Sequence, residues 1–107
     1  MKVAFICGPY RAKTISGVVA NIRYAERFAK LYWKEGYVVI CPHLNSALFD
    51  GILPDTLFLK GAKELLKRSD VIVLIPGWEN SKGSIDELQF AKKLGKEIIE
   101  ESHVRIL

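Results

Sequence analysis

An α/β domain with a parallel sheet covered by helices on both faces is what this sequence predicts, and three observations carry the prediction. Short runs that are apolar at every position alternate with longer segments that are apolar at helical spacing. Continuous apolar runs are the mark of parallel strands buried on both faces. The first three runs each stop at glycine or proline: Gly8-Pro9, Pro42 and Pro76-Gly77. With 107 residues there is room for one core, so residues 1–107 are expected to form a single domain.

Val3-Ala4-Phe5-Ile6-Cys7 is the first predicted strand. A helix starting at Thr14 or Ser16 carries Val18, Ile22, Ala25, Phe28, Ala29 and Tyr32 as an apolar stripe and ends at Gly36. Tyr37-Val38-Val39-Ile40-Cys41 is the second strand. Residues 42–54 are irregular by pattern, and a loop of that length in so small a domain is more often functional than idle. Asp55 is expected to cap a helix with Leu57, Phe58, Ala62, Leu65 and Leu66 on one face. Asp70 to Ile75 is the third strand. A helix from about Ser84 to Leu94 follows, stopped by Gly95. Glu97-Ile98-Ile99 makes a fourth strand, and Val104 to Leu107 offers a short fifth, for a sheet of four or five strands.

Composition narrows the function. Half of the residues are hydrophobic and 26% are charged, an ordinary globular balance. A net charge of +4 and a pI near 9.1 suit a small anionic ligand such as a phosphate monoester. The excess is mild and spread through helices, so nucleic acid is not an expected partner. No stretch approaches the ~20 apolar residues of a membrane helix, and the N-terminal apolar run is too short for a secretory signal. A cytoplasmic protein is expected. Cys7, Cys41 and His43 offer three potential metal ligands at neighbouring strand ends, without a fourth at any recognisable spacing. Two buried thiols in a reducing compartment, and no metal, are expected instead. There is no GxxxxGK[ST] loop and no GxGxxG after the first strand, so neither a nucleoside triphosphate motif nor a dinucleotide cofactor motif is present.

Right-handed crossovers place the crevice of such a sheet at the carboxyl ends of its strands. The loops there hold Gly8-Pro9-Tyr10-Arg11, His43 with Asn45, and Gly77 to Glu87. In the last of these, Asn80, Ser81, Gly83 and Ser84 can present hydroxyls and free N–H groups at a helix N-terminus, where the dipole favours an anion. Glu87 flanks the stripe of Ile85, Leu88 and Leu94. A carboxylate there can attack a sugar carbon. Ser84-x-x-Glu87 is equally the signature of a capping box. Tyr10 and Trp78 can simply pack loops onto the sheet, His43 can be a satisfied loop histidine, and Arg11 can be a surface charge.

Three segments, "GPYRA", "CPHLNSALFDG" and "SDVIVLIPGWENSKGSIDE", together resemble the nucleoside 2-deoxyribosyltransferase superfamily, most closely its short phage and bacterial branch. The likeness runs over about residues 3 to 100 and extends to the 2′-deoxynucleoside 5′-monophosphate N-glycosidases. It implies a flavodoxin-like, Rossmann-like three-layer sandwich. It also implies an enzyme that cleaves or transfers the bond between a base and deoxyribose. Glu87 would attack the anomeric carbon to form a glycosyl-enzyme, which water or a second base then releases. Tyr10, in the sugar-facing turn Gly8-Pro9-Tyr10, would contact that nucleophile. Ser81 would hold the 5′ end of a nucleotide, and His43 and Asn45 would approach base or sugar. Arg11, Gly77, Trp78, Gly83 and Ser84 complete the implied substrate site. The resemblance implies no cofactor, a nucleoside or nucleotide as partner, and a homo-oligomer, dimer or larger, whose neighbouring subunit completes the pocket. Ala62 stands where relatives carry an aspartate near the sugar, so the acid is left unassigned, with Asp50 and Asp55 as possible substitutes. The alternative function is a nucleotide-binding module of the same fold without catalysis.

Overall fold

The computed structural model of the chain describes residues 1–102. Val3–Cys7 forms β1, Val38–Ile40 β2, Val71–Leu74 β3 and Glu97–Glu100 β4. The strands are parallel throughout, in the order β2-β1-β3-β4. Phe5 stands opposite Ile40 on one side and Ile72 on the other, which makes β1 an inner strand.

Alternate residues of the two inner strands serve different layers, which is why these strands are apolar throughout. Ala4, Ile6, Val71 and Val73 pack against Ala25, Phe28, Ala29 and Tyr32 of α1 (Ile15–Lys34). Phe5, Cys7, Ile72 and Leu74 face the other way, onto Leu66 of α3 (Asp55–Lys67) and Leu88 and Ala91 of α4 (Lys82–Lys93). The result is a three-layer α/β sandwich. Phe5 and Phe28 are essentially sealed, one in each layer. Truncation of either to alanine costs about 3–5 kcal/mol.

Local chemistry sets the helix ends. Thr14 keeps an extended backbone and its Oγ1 accepts from Gly17 N at 3.0 Å, which starts α1. Gly36, at φ 96°, turns the chain out of α1 and into β2.

Several details differ from the sequence expectations. Residues 42–54 are not wholly irregular: Pro42–Asn45 forms a short helix, α2, with proline at its first turn. The N–H groups of Leu44 and Asn45 both bond to Cys41 O, at 3.0 and 3.1 Å. Pro54, not Asp55, is the N-cap of α3, and Asp55 sits in the first turn, where the helix dipole favours an acid. Of the expected α3 face only Leu66 is fully buried, and Leu57 is 49% exposed. α4 begins at Lys82, earlier than Ser84, and its buried stripe is Ser84, Leu88 and Ala91, while Ile85 and Leu94 are open to water. β4 is largely exposed, an edge strand bracketed by Glu97 and Glu100. Charge at a strand edge discourages pairing with other chains. The expected fifth strand, Val104 to Leu107, lies outside the described residues. Among the described residues no helix is long and apolar enough to cross a membrane.

Candidate active site

The strand order reverses direction between β1 and β3, so the topological switch point lies outside Cys7 and Leu74, which are paired neighbours. Two close approaches build the floor of the crevice. A Cβ on Gly8 would lie 2.3 Å from Ile75 Cγ1 and 2.6 Å from Cδ1, so only glycine lets the turn after β1 rest on Ile75. Gly77 adopts φ 96°, and a Cβ there would meet Pro9 Cγ at 3.3 Å. The two glycines bring the turns after β1 and β3 into contact.

Ser81 is the N-cap of α4, with φ −113° and ψ 113°. Its Oγ accepts from Ser84 N at 3.2 Å and from the Ser84 hydroxyl at 3.0 Å. Ser84, 2% exposed, is therefore capped rather than capping. The alternative reading of Ser84 and Glu87 as a capping box is not realised, because the helix already starts at Lys82 and places Glu87 in its second turn. At the mouth of α4 the N–H groups of Lys82 and Gly83 precede the first intrahelical bonds and remain available to an anion.

Glu87 is half-buried on α4. Burial pushes its carboxyl up to about 7 from the ordinary 4.5. A hydrogen bond from the Cys7 thiol opposes the rise, the Asp86 carboxylate adds to it, and the Lys63 ammonium draws it down. Lys63 and Asp86 are themselves paired at 2.7 Å. A half-buried carboxyl poised near neutrality is chemically suited to gain or lose a proton at physiological pH.

The remaining sequence-predicted residues divide into those near this centre and those engaged elsewhere. His43, 5% exposed, points its Nε2 at Gly8 O (3.1 Å) and Pro9 O (3.0 Å). Two carbonyls can only accept, so Nε2 carries the proton and the ring braces the turn after β1. The side chain expected to approach a ligand is thus spent on the protein itself. The Tyr10 hydroxyl donates to Asp50 Oδ1 at 2.8 Å and accepts from Leu48 N at 3.2 Å. Among the described residues it makes no hydrogen bond to Glu87, contrary to the expected contact. Arg11 pairs with Asp55 at 2.7 Å with both side chains more than half exposed, and such a surface pair is worth at most about 1 kcal/mol. Asp50 and Asp55, the possible replacements for the missing aspartate, are thereby engaged by Tyr10 and Arg11. Ala62 itself packs against the core layer beneath α3 and α4.

Trp78 packs on that same layer, and its indole N–H donates to Glu100 Oε2 at 3.3 Å. It borders a groove of about 500 Å³ that also includes Gly77, Glu79, Asn80 and Glu101. Asn45 is set apart, in a second groove of about 360 Å³ along β2 with Trp33 and Leu44. Cys41 and His43 do meet, Sγ to Nδ1 at 3.9 Å, but no cluster of three or more potential metal ligands forms among the described residues. Cys7, expected only as a buried thiol, donates to Ser84 O at 3.5 Å and is an electrostatic neighbour of Glu87. Its position as the last residue before Gly8-Pro9, at the crevice edge of an inner strand, was the available signal.

The model of one family, a domain of unknown function designated DUF4406, matches residues 5–100. No curated protein matches the sequence significantly. Among solved structures, the chain is similar to a 2-deoxyribosyltransferase from Leishmania mexicana, with a TM-score of 0.65 and 20% identity. That match covers 94% of this chain and 63% of the other, so this chain spans less than two thirds of that enzyme's length. A 2-deoxyribosyltransferase from the psychrotolerant bacterium Bacillus psychrosaccharolyticus also has a TM-score of 0.65, with 19% identity over 98% of this chain and 77% of the other. These likenesses are of fold.

Proposed function

The chain belongs to the DUF4406 family, and on that footing we propose that it cleaves or transfers the N-glycosidic bond of a 2′-deoxynucleoside or its 5′-monophosphate. The observation that carries this reading is Glu87: a half-buried carboxyl raised to about 7, one turn past a capped helix mouth, at the switch point of a 2-deoxyribosyltransferase fold. Ionised, it attacks C1′ of the deoxyribose as the base departs with the bonding electrons. Water or an incoming base then attacks the same carbon and releases the carboxylate. The absence of a 2′-hydroxyl eases the oxocarbenium-like transition state. The Ser81 hydroxyl and the open N–H groups of Lys82 and Gly83 suit a 5′-phosphate, whereas the groove bordered by Glu79, Glu100 and Glu101 repels one. A homo-oligomer, dimer or larger, in the reducing cytoplasm completes the reading, consistent with two buried free thiols.

Incubation with each deoxynucleoside and deoxynucleoside monophosphate, followed by chromatography of free base, tests the proposal. Release that falls at least about 10³-fold in Glu87→Ala is expected. Release unchanged in that variant sinks the mechanism. A second base in the mixture separates transfer from hydrolysis through the appearance of a new nucleoside.

A second reading is supported by Ala62 in place of an acid and by the engagement of Tyr10 with Asp50: a nucleotide-binding module without turnover. It predicts a rise in Tm with a deoxynucleotide and no free base.

A further inference from the structure

We propose that Cys7 is a positioning residue for Glu87, its one S–H proton shared between the Ser84 carbonyl and the Glu87 carboxylate. The inference rests on the proposed role of Glu87, but it concerns the free protein and is read without turnover.

Cys7 ends β1 with no exposure to solvent, in register with Leu74 of β3. Its Sγ lies 3.5 Å from Ser84 O, in the first turn of α4. Ser84 and Glu87 are three apart on that helix, so their outer groups share one face. In the structure the thiol meets the Ser84 carbonyl, and the Glu87 carboxylate, one turn further along α4 and its electrostatic neighbour, is the second acceptor open to its single proton. Burial and the neighbouring Glu87 both raise the thiol far above its ordinary range, so it remains S–H throughout the titration of Glu87.

The groups facing Glu87 come from three elements. β1 supplies the Cys7 donor, α4 supplies Asp86, and α3 supplies Lys63. Lys63 and Asp86 form an ion pair and largely offset each other. Cys7 is the donor that differs between the two states of Glu87. When Glu87 is neutral, the S–H serves the Ser84 carbonyl. When Glu87 is ionised, the S–H turns to the carboxylate, ties one oxygen to the end of β1 and leaves the other for chemistry. A donor that favours the charged form lowers the pH at which the nucleophile becomes available.

The test reads the titration directly, on the full chain and without substrate. Carboxyl carbon NMR follows Glu87 in the wild type, Cys7→Ala and Cys7→Ser. Alanine removes the donor, and the Glu87 midpoint is expected to rise by about one unit, a tenfold change in proton affinity. Serine restores a donor and is expected to return the midpoint to the wild-type value or below. A space-filling role for Cys7 moves stability in both variants and the midpoint in neither.

A measurement on the unmutated cysteine covers the case in which these variants fail to fold. The infrared S–H stretch of the wild type is expected to shift as pH passes through the Glu87 midpoint, and the shift is expected to vanish in Glu87→Gln. A folded Cys7→Ala with an unchanged midpoint overturns the proposal, as does an S–H band indifferent to Glu87. Because base release is not part of either readout, a chain that turns over no deoxynucleotide leaves this test intact.

Discussion

Glu87 and His43 tie stability to pH in opposite senses. The folded protein holds the Glu87 proton up to about pH 7, while the unfolded chain gives it up near 4.5. Stability from this group is therefore full below 4.5 and is lost as pH rises through 7, a swing on the order of 3 kcal/mol. Glu87→Gln is expected to raise Tm at pH 8 and leave it nearly unchanged at pH 4, read by thermal denaturation at both values. Burial lowers His43 from its ordinary 6.5, so the unfolded chain takes up that proton first as pH falls. Its contribution is present above 6.5 and is lost on acidification. In the Glu87→Gln background the His43 slope is no longer opposed by Glu87, and stability is expected to increase between pH 5 and 7. Abolition of that slope by His43→Gln identifies its source.

At the level of elements, the start of α4 joins stability to ligand choice. Ser81→Ala removes the cap and is expected to cost about 1 kcal/mol in denaturant unfolding. If Ser81 also holds a 5′-phosphate, the same variant raises KM for a monophosphate more than for its nucleoside, a difference that lost stability alone does not produce. Gly8→Ala is expected to lower Tm well beyond the effect of an ordinary surface change, because a Cβ there would meet Ile75 at 2.3 Å. Ile75→Ala clears that space, so the double variant is expected to lose less than the two single losses added.

These same elements show what could be read beforehand. β1 and β3 were legible because every position faces one of two apolar layers, and a run with no polar interruption has few other solutions. The crevice followed from the topology of parallel strands. The start of α4 is ambiguous in the sequence because Ser81 and Ser84, three apart, both satisfy the cap pattern, and only backbone geometry chooses between them. The pairing of Tyr10 with Asp50 joins loops 40 residues apart that carry no periodicity. Only the folded chain could reveal it.

For the molecule as a whole, the apolar surface is unevenly distributed. Leu48, Phe49, Ile52, Leu53, Leu57 and Leu59 are each 45–67% exposed, within one stretch of chain between α2 and α3 and in the first turns of α3. A concentration of that kind favours self-association over a free monomer. Sedimentation is expected to show a dimer or larger species, and Ile52→Glu is expected to shift it toward monomer. The same stretch holds Leu48 at φ 59°, a left-handed backbone that a branched side chain adopts at a cost of about 1–3 kcal/mol. Its N–H is bonded to the Tyr10 hydroxyl, which also serves Asp50. A ligand that draws Tyr10 toward the crevice must break both bonds at once. Filling of the crevice would then be written in the solvent exchange of a single backbone hydrogen, at Leu48, which an occupied site would set free.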